Sequence, residues 1–147
     1  MITVFVGLNN KKSIGTAIQW LKAHHLSYKV KHIEEMTLSE LIHILSLTDE
    51  GTSELEANPD HKARNKAWRQ MHEAIENAES LREVQTFIHS YPQHFHGLFI
   101  VDEQRLVIGF NANEIRCFVP RENRHVFING LHSNELREHL NVRGYTS

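Results

Sequence analysis

The sequence is poor in several residues that would narrow its chemistry at once. Among 147 residues there is one cysteine, with three prolines and seven glycines. With only Cys117, no internal disulfide and no cysteine-cluster zinc site can form. Neither charge is in real excess: 16 Lys and Arg against 18 Asp and Glu leave a net charge of −2 with histidine neutral. That balance argues against a general nucleic-acid binder, which would carry a basic surplus. No apolar run approaches the ~20 residues of a membrane span. The opening residues, Met1-Ile-Thr-Val-Phe-Val-Gly7, lack the basic region and small-residue cleavage site of an export signal. No repeat, low-complexity tract or linker interrupts the chain. These absences predict a single domain, 1–147, located in the cytoplasm and without membrane contact.

What is present is patterning. Ile2, Val4 and Val6 around Thr3 and Phe5 form the nearly continuous run of a strand buried on both faces. Gly7–Lys12 breaks the run, and Ser13 is placed to cap a helix carrying Ile14, Ala17, Ile18 and Leu21, at spacings of three and four. Residues 27–33 alternate, with Tyr28 and Val30 on one side, and predict a second strand. Strand, helix and strand in so short a span predict a right-handed parallel βαβ unit. Thr37 with Glu40, Ser53 with Glu56, and Ser80 with Glu83 each fit the capping box, in which hydroxyl and carboxylate satisfy two helix-end N–H groups reciprocally. Behind Thr37, the residues Leu38, Leu41, Ile42 and Leu45 make an apolar stripe, and Gly51 ends or turns that segment.

From about His61 to Ala78 the residues Ala63, Ala67, Met71, Ala74 and Ala78 keep helical spacing beside Trp68 and Ile75. The basic group Lys62, Arg64, Lys66 and Arg69 at its start opposes the helix dipole, so this helix is expected to depend on packing. Another helix runs from Leu81 through Val84 and Ile88 towards Tyr91, where Pro92 stops it. Gly97–Val101 and Arg105–Gly109 are apolar runs joined by Asp102-Glu-Gln104, the spacing of a hairpin. Asn111 and Glu114 open a helix over Ile115–Phe118 that Pro120 closes, and Ser133–Leu140 predicts one more. The element order predicts an α/β fold: a thioredoxin-like mixed sheet (βαβ, then a β-hairpin and helix) with an inserted helical subdomain. The sheet part takes about 1–35 and 93–121, the helical insertion about 37–92 and a C-terminal extension 122–147.

Candidate sites each have an ordinary explanation beside the functional one. Twelve histidines include His94 and His96 on one side of an extended segment, but without a cysteine or carboxylate pair nearby no metal site is expected. Cys117 reads as a small apolar residue rather than a reactive thiol. The basic group at 62–69 reads either as a solvated helix face or as a contact to DNA. Gly51 reads either as a helix terminator or as a contact glycine.

Motifs narrow the choice. Residues 99–121, with Asp102-Glu-Gln-Arg-Leu106, Gly109-Phe-Asn111, Glu114-Ile-Arg116 and Pro120-Arg121, resemble the C-terminal hairpin and helix of the Spx/ArsC family. The likeness is greatest to its Spx branch of bacterial transcriptional regulators. Ile44-Leu-Ser-Leu-Thr-Asp-Glu-Gly-Thr52 and the pattern through Trp20-Leu21 and Tyr28 extend the resemblance over about residues 1–121. Arsenate reductases of the family use a cysteine at the end of the first strand. Spx proteins bind the C-terminal domain of the RNA polymerase α subunit and carry a Cys-x-x-Cys redox switch there. This chain has Asn10-Lys11-Lys12-Ser13, and neither Asn10 nor Ser13 can supply a thiolate. Where the family has Arg-Pro before the third strand, this chain has Gly97-Leu98, with His96 one residue earlier and cationic only when protonated.

The resemblance therefore implies a regulator and not an enzyme, with no catalytic residue, cofactor or metal and no disulfide switch. It implies Gly51, with Ser46, Thr48, Asp49, Glu50 and Thr52, as the contact to the polymerase α C-terminal domain, and promoter DNA met at most indirectly. A basic residue of the family aligns with Ser46. Two alternatives stand beside it: a degenerate arsenate-reductase-like protein reacting through Cys117, and a thioredoxin-like binding module whose other partner is reached through the 91–97 loop.

Overall fold

A computed structural model describes residues 1–57 and 65–120 of the chain. Strand β1 (Ile2–Val6) leads into helix α1 (Lys11–Ala23) and strand β2 (Tyr28–His32). Helices α2 (Leu38–Ser46), α3 (Lys66–Glu76) and α4 (Leu81–Ser90) follow, then strands β3 (Leu98–Val101) and β4 (Leu106–Ile108). The sheet order is β2-β1-β3-β4. β1 is parallel to β2 and antiparallel to β3, with Phe5 opposite Phe99, and β3 and β4 form the expected antiparallel hairpin. The two densest apolar runs of the sequence, β1 and β3, thus occupy the centre. There both faces are covered, and all four residues of β3 are buried. Among the described strands β2 has one neighbour and lies at the sheet's rim, and its Val30 stays 46% exposed although its pattern is that of a strand.

Phe5, Phe99 and Val101 face a core shared with Ile33, Met36, Leu41, Ile44, Leu55, Ile75, Val84, Ile88 and Phe95. The helical insertion covers that side of the sheet. Strand alternation turns Val4, Val6, Leu98 and Ile100 to the opposite side, where they too are buried, as are Ala17 and Leu21 of α1.

Several boundaries differ from the sequence pattern. Ser13 does not cap α1: the helix begins at Lys11 behind Asn10, whose backbone is left-handed (φ 64°) and whose side chain makes no cap. In α2 the reciprocal capping box of Thr37 and Glu40 forms at 2.9 and 3.1 Å. The core-facing positions of α2 are Leu41 and Ile44, while Ile42 is 48% exposed. Ser80 accepts the Glu83 N–H at 3.2 Å, but the Glu83 carboxylate takes the N–H of Glu79 rather than that of Ser80. Ser53 forms no box at all. It lies inside a 3-10 turn, Gly51–Glu54, and Glu56 instead bridges Phe95. α3 is capped by Asn65 and buries Ile75 rather than an alanine stripe, with Ala67 exposed.

Lys62, Ala63 and Arg64 fall outside the described residues, as does everything from Arg121 onward, including the helix expected at Ser133–Leu140. α4 is tied back to the sheet end by Gln85 and His89, which both donate to the Met36 carbonyl, at 3.2 and 3.0 Å. Residues from Ala112 form a second compact unit. Glu114–Phe118 there is a 3-10 helix rather than an α-helix, and Asn113, not Asn111, precedes it without a side-chain cap. No described helix is long and apolar enough to cross a membrane.

Glu40 gives the fold a measurable acid sensitivity. Burial works against its ionisation, but the Thr37 N–H, the Lys31 ammonium (2.9 Å) and the Thr37 hydroxyl together outweigh it, holding the carboxyl below its usual value. A carboxyl depressed in the folded state adds stability above its unfolded value, near ~4.3 for glutamate, and that stability is lost as pH falls through the folded value. Glu40→Gln is therefore expected to lower the thermal midpoint at pH 7 by about 2–4 °C, corresponding to about 1 kcal/mol. Wild type and variant should converge only once the pH has dropped below the depressed value of the folded carboxyl. Melts over a pH series check this, and a gap that persists in acid would contradict it.

Candidate functional site

Two segments carry the positions that motif comparison singles out, and the structure describes both. The first lies where β1 ends. Gly7 N–H donates to the Gly97 carbonyl at 2.9 Å, so the loop after β1 is bonded to the segment entering β3. Asn9 Nδ2 donates to the carbonyls of Gln93 (2.9 Å) and Phe95 (2.7 Å), and Asn10 Oδ1 accepts the Gly97 N–H at 3.0 Å. Asn10 opens the Asn10-Lys11-Lys12-Ser13 stretch that the sequence resemblance sets against Cys-x-x-Cys. Its left-handed backbone aims the amide across the gap, a conformation that asparagine tolerates better than most residues. Gly97 faces it at very short range: a Cβ on Gly97 would lie 1.8 Å from the Asn9 carbonyl oxygen. Only a residue without a side chain lets the two backbones meet here. Ser13 sits in the first turn of α1.

The chemistry of this junction is that of amides already paired with each other. His96 adds no cation, because burial pushes its pKa below the ordinary imidazole value and leaves the ring neutral at pH 7, edge-on to Phe99 at 6.4 Å.

The second segment follows α2. The helix ends at Ser46, whose hydroxyl donates to the His43 carbonyl at 2.6 Å. Thr48 Oγ1 donates to the Leu45 carbonyl at 2.7 Å and accepts the Gly51 N–H at 3.1 Å, folding the chain back. Glu50 N–H is held by the Glu54 carboxylate. Asp49 and Glu50 are exposed, and Thr48, Gly51 and Thr52 are half-buried. Gly51 does not terminate α2, which has already ended; it opens the 3-10 turn with φ +83°. A Cβ placed on it would meet no atom of the described residues within 4 Å. Its backbone therefore needs glycine for conformational reasons, and no described residue fills the space an added side chain would take. Ser46 thus closes α2, and Thr48, Asp49 and Glu50 lead into the 3-10 turn at Gly51 and Thr52, with Ser46, Asp49 and Glu50 exposed.

Directly after this turn lies a group that sequence reasoning missed. Glu56, read as the carboxylate of a capping box, is only 3% exposed. It receives His94 Nε2 at 2.7 Å and His72 Nδ1 at 2.9 and 3.0 Å. Nothing in the local pattern distinguishes this glutamate from a helix-start residue, because its partners lie 16 and 38 residues away. His94 and His96 consequently diverge, the first to Glu56 and the second to Phe99. Among the described residues no group of three or more His, Cys, Asp or Glu side chains is arranged to hold a metal ion. Cys117 is half-buried in the second unit.

No protein-family model matches the chain. Curated proteins similar to it include global transcriptional regulator Spx 2 of Bacillus cereus, 38% identical over 112 residues covering 75% of this chain and 80% of that protein. Global transcriptional regulator Spx of Streptococcus pneumoniae is 34% identical over 126 residues, covering 84% and 90%. Among solved structures, a Staphylococcus aureus protein determined by NMR superposes with a TM-score of 0.62 at 17% identity, over 82% of this chain and all of that one. An ArsC-family-related protein from Bacteroides fragilis superposes at 0.54 with 13% identity, over 77% and 92%. These likenesses show a common thioredoxin-like α/β fold.

Proposed function

Since the chain belongs to the Spx/ArsC family, we propose that it is a non-enzymatic, Spx-type transcriptional regulator that docks on the C-terminal domain of the RNA polymerase α subunit without a disulfide switch. Its curated relatives are transcriptional regulators. The observation that carries the reading is Gly51: a half-buried, positive-φ glycine in a surface turn with no described residue within 4 Å of an added Cβ. Such a position is costly for most other residues, and a side chain there would pack against no described residue, so a partner's backbone lying against it is the use that explains it. Ser46, Thr48, Asp49, Glu50 and Thr52 supply the rim of that contact. With Ser46 in place of a basic residue, the rim offers acceptors and carboxylates rather than a cation.

Loss of redox control follows from residue identity and from the junction at Asn10. A thiol–disulfide switch needs two sulfurs that can approach each other. Here one position is an amide bonded to Gly97 and the other is a serine hydroxyl. Reduction of arsenate by the usual route would need a thiolate nucleophile and a fixed cation for the oxyanion, and the junction offers paired amides and a neutral imidazole instead.

The test is titration of the purified protein against the polymerase α C-terminal domain, with dithiothreitol and after diamide oxidation. Saturable binding is expected, with dissociation constants under the two conditions within about twofold of each other, a difference of under ~0.5 kcal/mol. Lack of binding would refute the docking role. Binding gated by oxidant would refute the missing switch.

A further inference from the structure

Glu56 is the most deeply buried charged residue among those described, and its environment connects three separate parts of the chain. A lone carboxylate in such a place costs several kcal/mol unless its oxygens are paired. The pairing comes from His72 on α3 and His94 in the 3-10 turn Pro92–His94. Trp68 closes the cluster. Its ring stacks on His72 (centroids 5.1 Å apart, 11° between planes) and tilts against His94 at 5.4 Å, and its indole N–H donates to the Ala57 carbonyl at 3.1 Å.

The backbone around Glu56 is pinned at the same place. His96 N–H donates to the Leu55 carbonyl and Ala57 N–H to the His94 carbonyl, both at 2.9 Å. Segment 93–97 is held in turn by Asn9 and Asn10. The 3-10 turn Gly51–Glu54 runs directly into Leu55 and Glu56, so its C-terminal end is fixed wherever Glu56 is fixed.

We infer that Glu56 is the positioning residue of the docking turn: by tying His72 and His94 together from inside, it sets the register in which Gly51 is presented to a partner. An apolar side chain in the same space would fill volume but exert no direction. Hydrogen bonds between a carboxylate and two imidazoles fix both distance and angle. Buried polar groups of this kind contribute to geometry where they contribute little to net stability. The residue touches no partner itself and acts only through the turn. The inference extends the docking role proposed above and rests on it for its functional consequence, but not for its structural one.

The experiment uses the full chain in two arms. In the free protein, amide hydrogen exchange is compared for wild type, Glu56→Leu, Glu56→Gln and His72→Ala. In Glu56→Leu, exchange over residues 50–57 is expected to quicken at least tenfold, while the amides of β1 and β3 stay within about twofold. Glu56→Gln retains an acceptor oxygen for His94 and should recover most of the protection. His72→Ala removes only the half-exposed partner and gives an intermediate result even if Glu56→Leu does not fold.

In the second arm the same proteins are titrated with the polymerase α C-terminal domain. Glu56→Leu is expected to lose about tenfold in affinity and Glu56→Gln less than threefold. In a cycle with Gly51→Ala the two losses should be non-additive. Unchanged exchange over 50–57, or a rise spread evenly through β1 and β3, overturns the positioning role. If wild type itself does not bind, the docking role falls while the exchange arm still decides Glu56.

Discussion

Gly51→Arg is expected to weaken binding to the polymerase α C-terminal domain by at least about thirtyfold, some 2 kcal/mol or more, on the scale of an interface hot spot. Two effects add. At φ +83° any side chain strains the backbone by roughly 1–2 kcal/mol, and the arginine would project into the open space that the partner is proposed to occupy. Because no atom of the described residues lies within 4 Å of the added Cβ, no clash with them occurs. The variant should therefore fold, with a circular dichroism spectrum like that of wild type. Gly51→Ala separates the two effects. It carries the strain with little of the bulk, and its loss should stay at about tenfold or below. Calorimetric titration of the three proteins decides the matter. Equal affinity of Gly51→Arg and wild type would mean that the turn is not the contact.

The largest effect on stability is expected at Gly97. A methyl group there would sit 1.8 Å from the Asn9 oxygen, 2.5 Å from its carbon and 2.8 Å from its nitrogen. All three are backbone atoms, so relief cannot come from a rotamer change. The loop after β1 would have to move, breaking the Asn9 bonds to Gln93 and Phe95 and the Gly7–Gly97 bond. Gly97→Ala is expected to cost about 3 kcal/mol or more, lowering the thermal midpoint by roughly 10 °C. Differential scanning calorimetry measures it, and a shift under about 2 °C would show that the two backbones do not need this contact.

The sheet was legible in the sequence because β1 and β3 are apolar on both faces, and that pattern has few other uses in so short a run. The hairpin was legible from the spacing of Asp102 to Gln104. Helix starts were legible only where the cap is local. Thr37 and Glu40 satisfy each other within four residues, whereas Ser53 and Glu56 carry the same pattern and do something else. What decided their case was His72 and His94, remote in sequence and unremarkable among twelve histidines. Ser13 failed as a cap for a similar reason: Asn10, bonded to Gly97 across the fold, sets where α1 begins. Ile42 was assigned to the core and Ile44 was not, because α2 is too short for its stripe to declare which side faces the sheet. The turn at Gly51 resembles a motif in sequence, but the space left around it by the described residues is a property of the fold and leaves no mark in a sequence.

The marginal place of β2 has a consequence for how the chain keeps to itself. A rim strand offers an unpaired row of amides and carbonyls to any passing strand, the usual seed of cross-β aggregation. Here that row belongs to Tyr28-Lys-Val-Lys-His32, with Lys29 exposed and Lys31 held by Glu40. Two ammonium groups on alternate residues make stacking a second copy alongside electrostatically costly, so the exposed Val30 can remain uncovered without recruiting its own kind. The rim of the sheet is thereby kept from zipping onto a second copy of the chain.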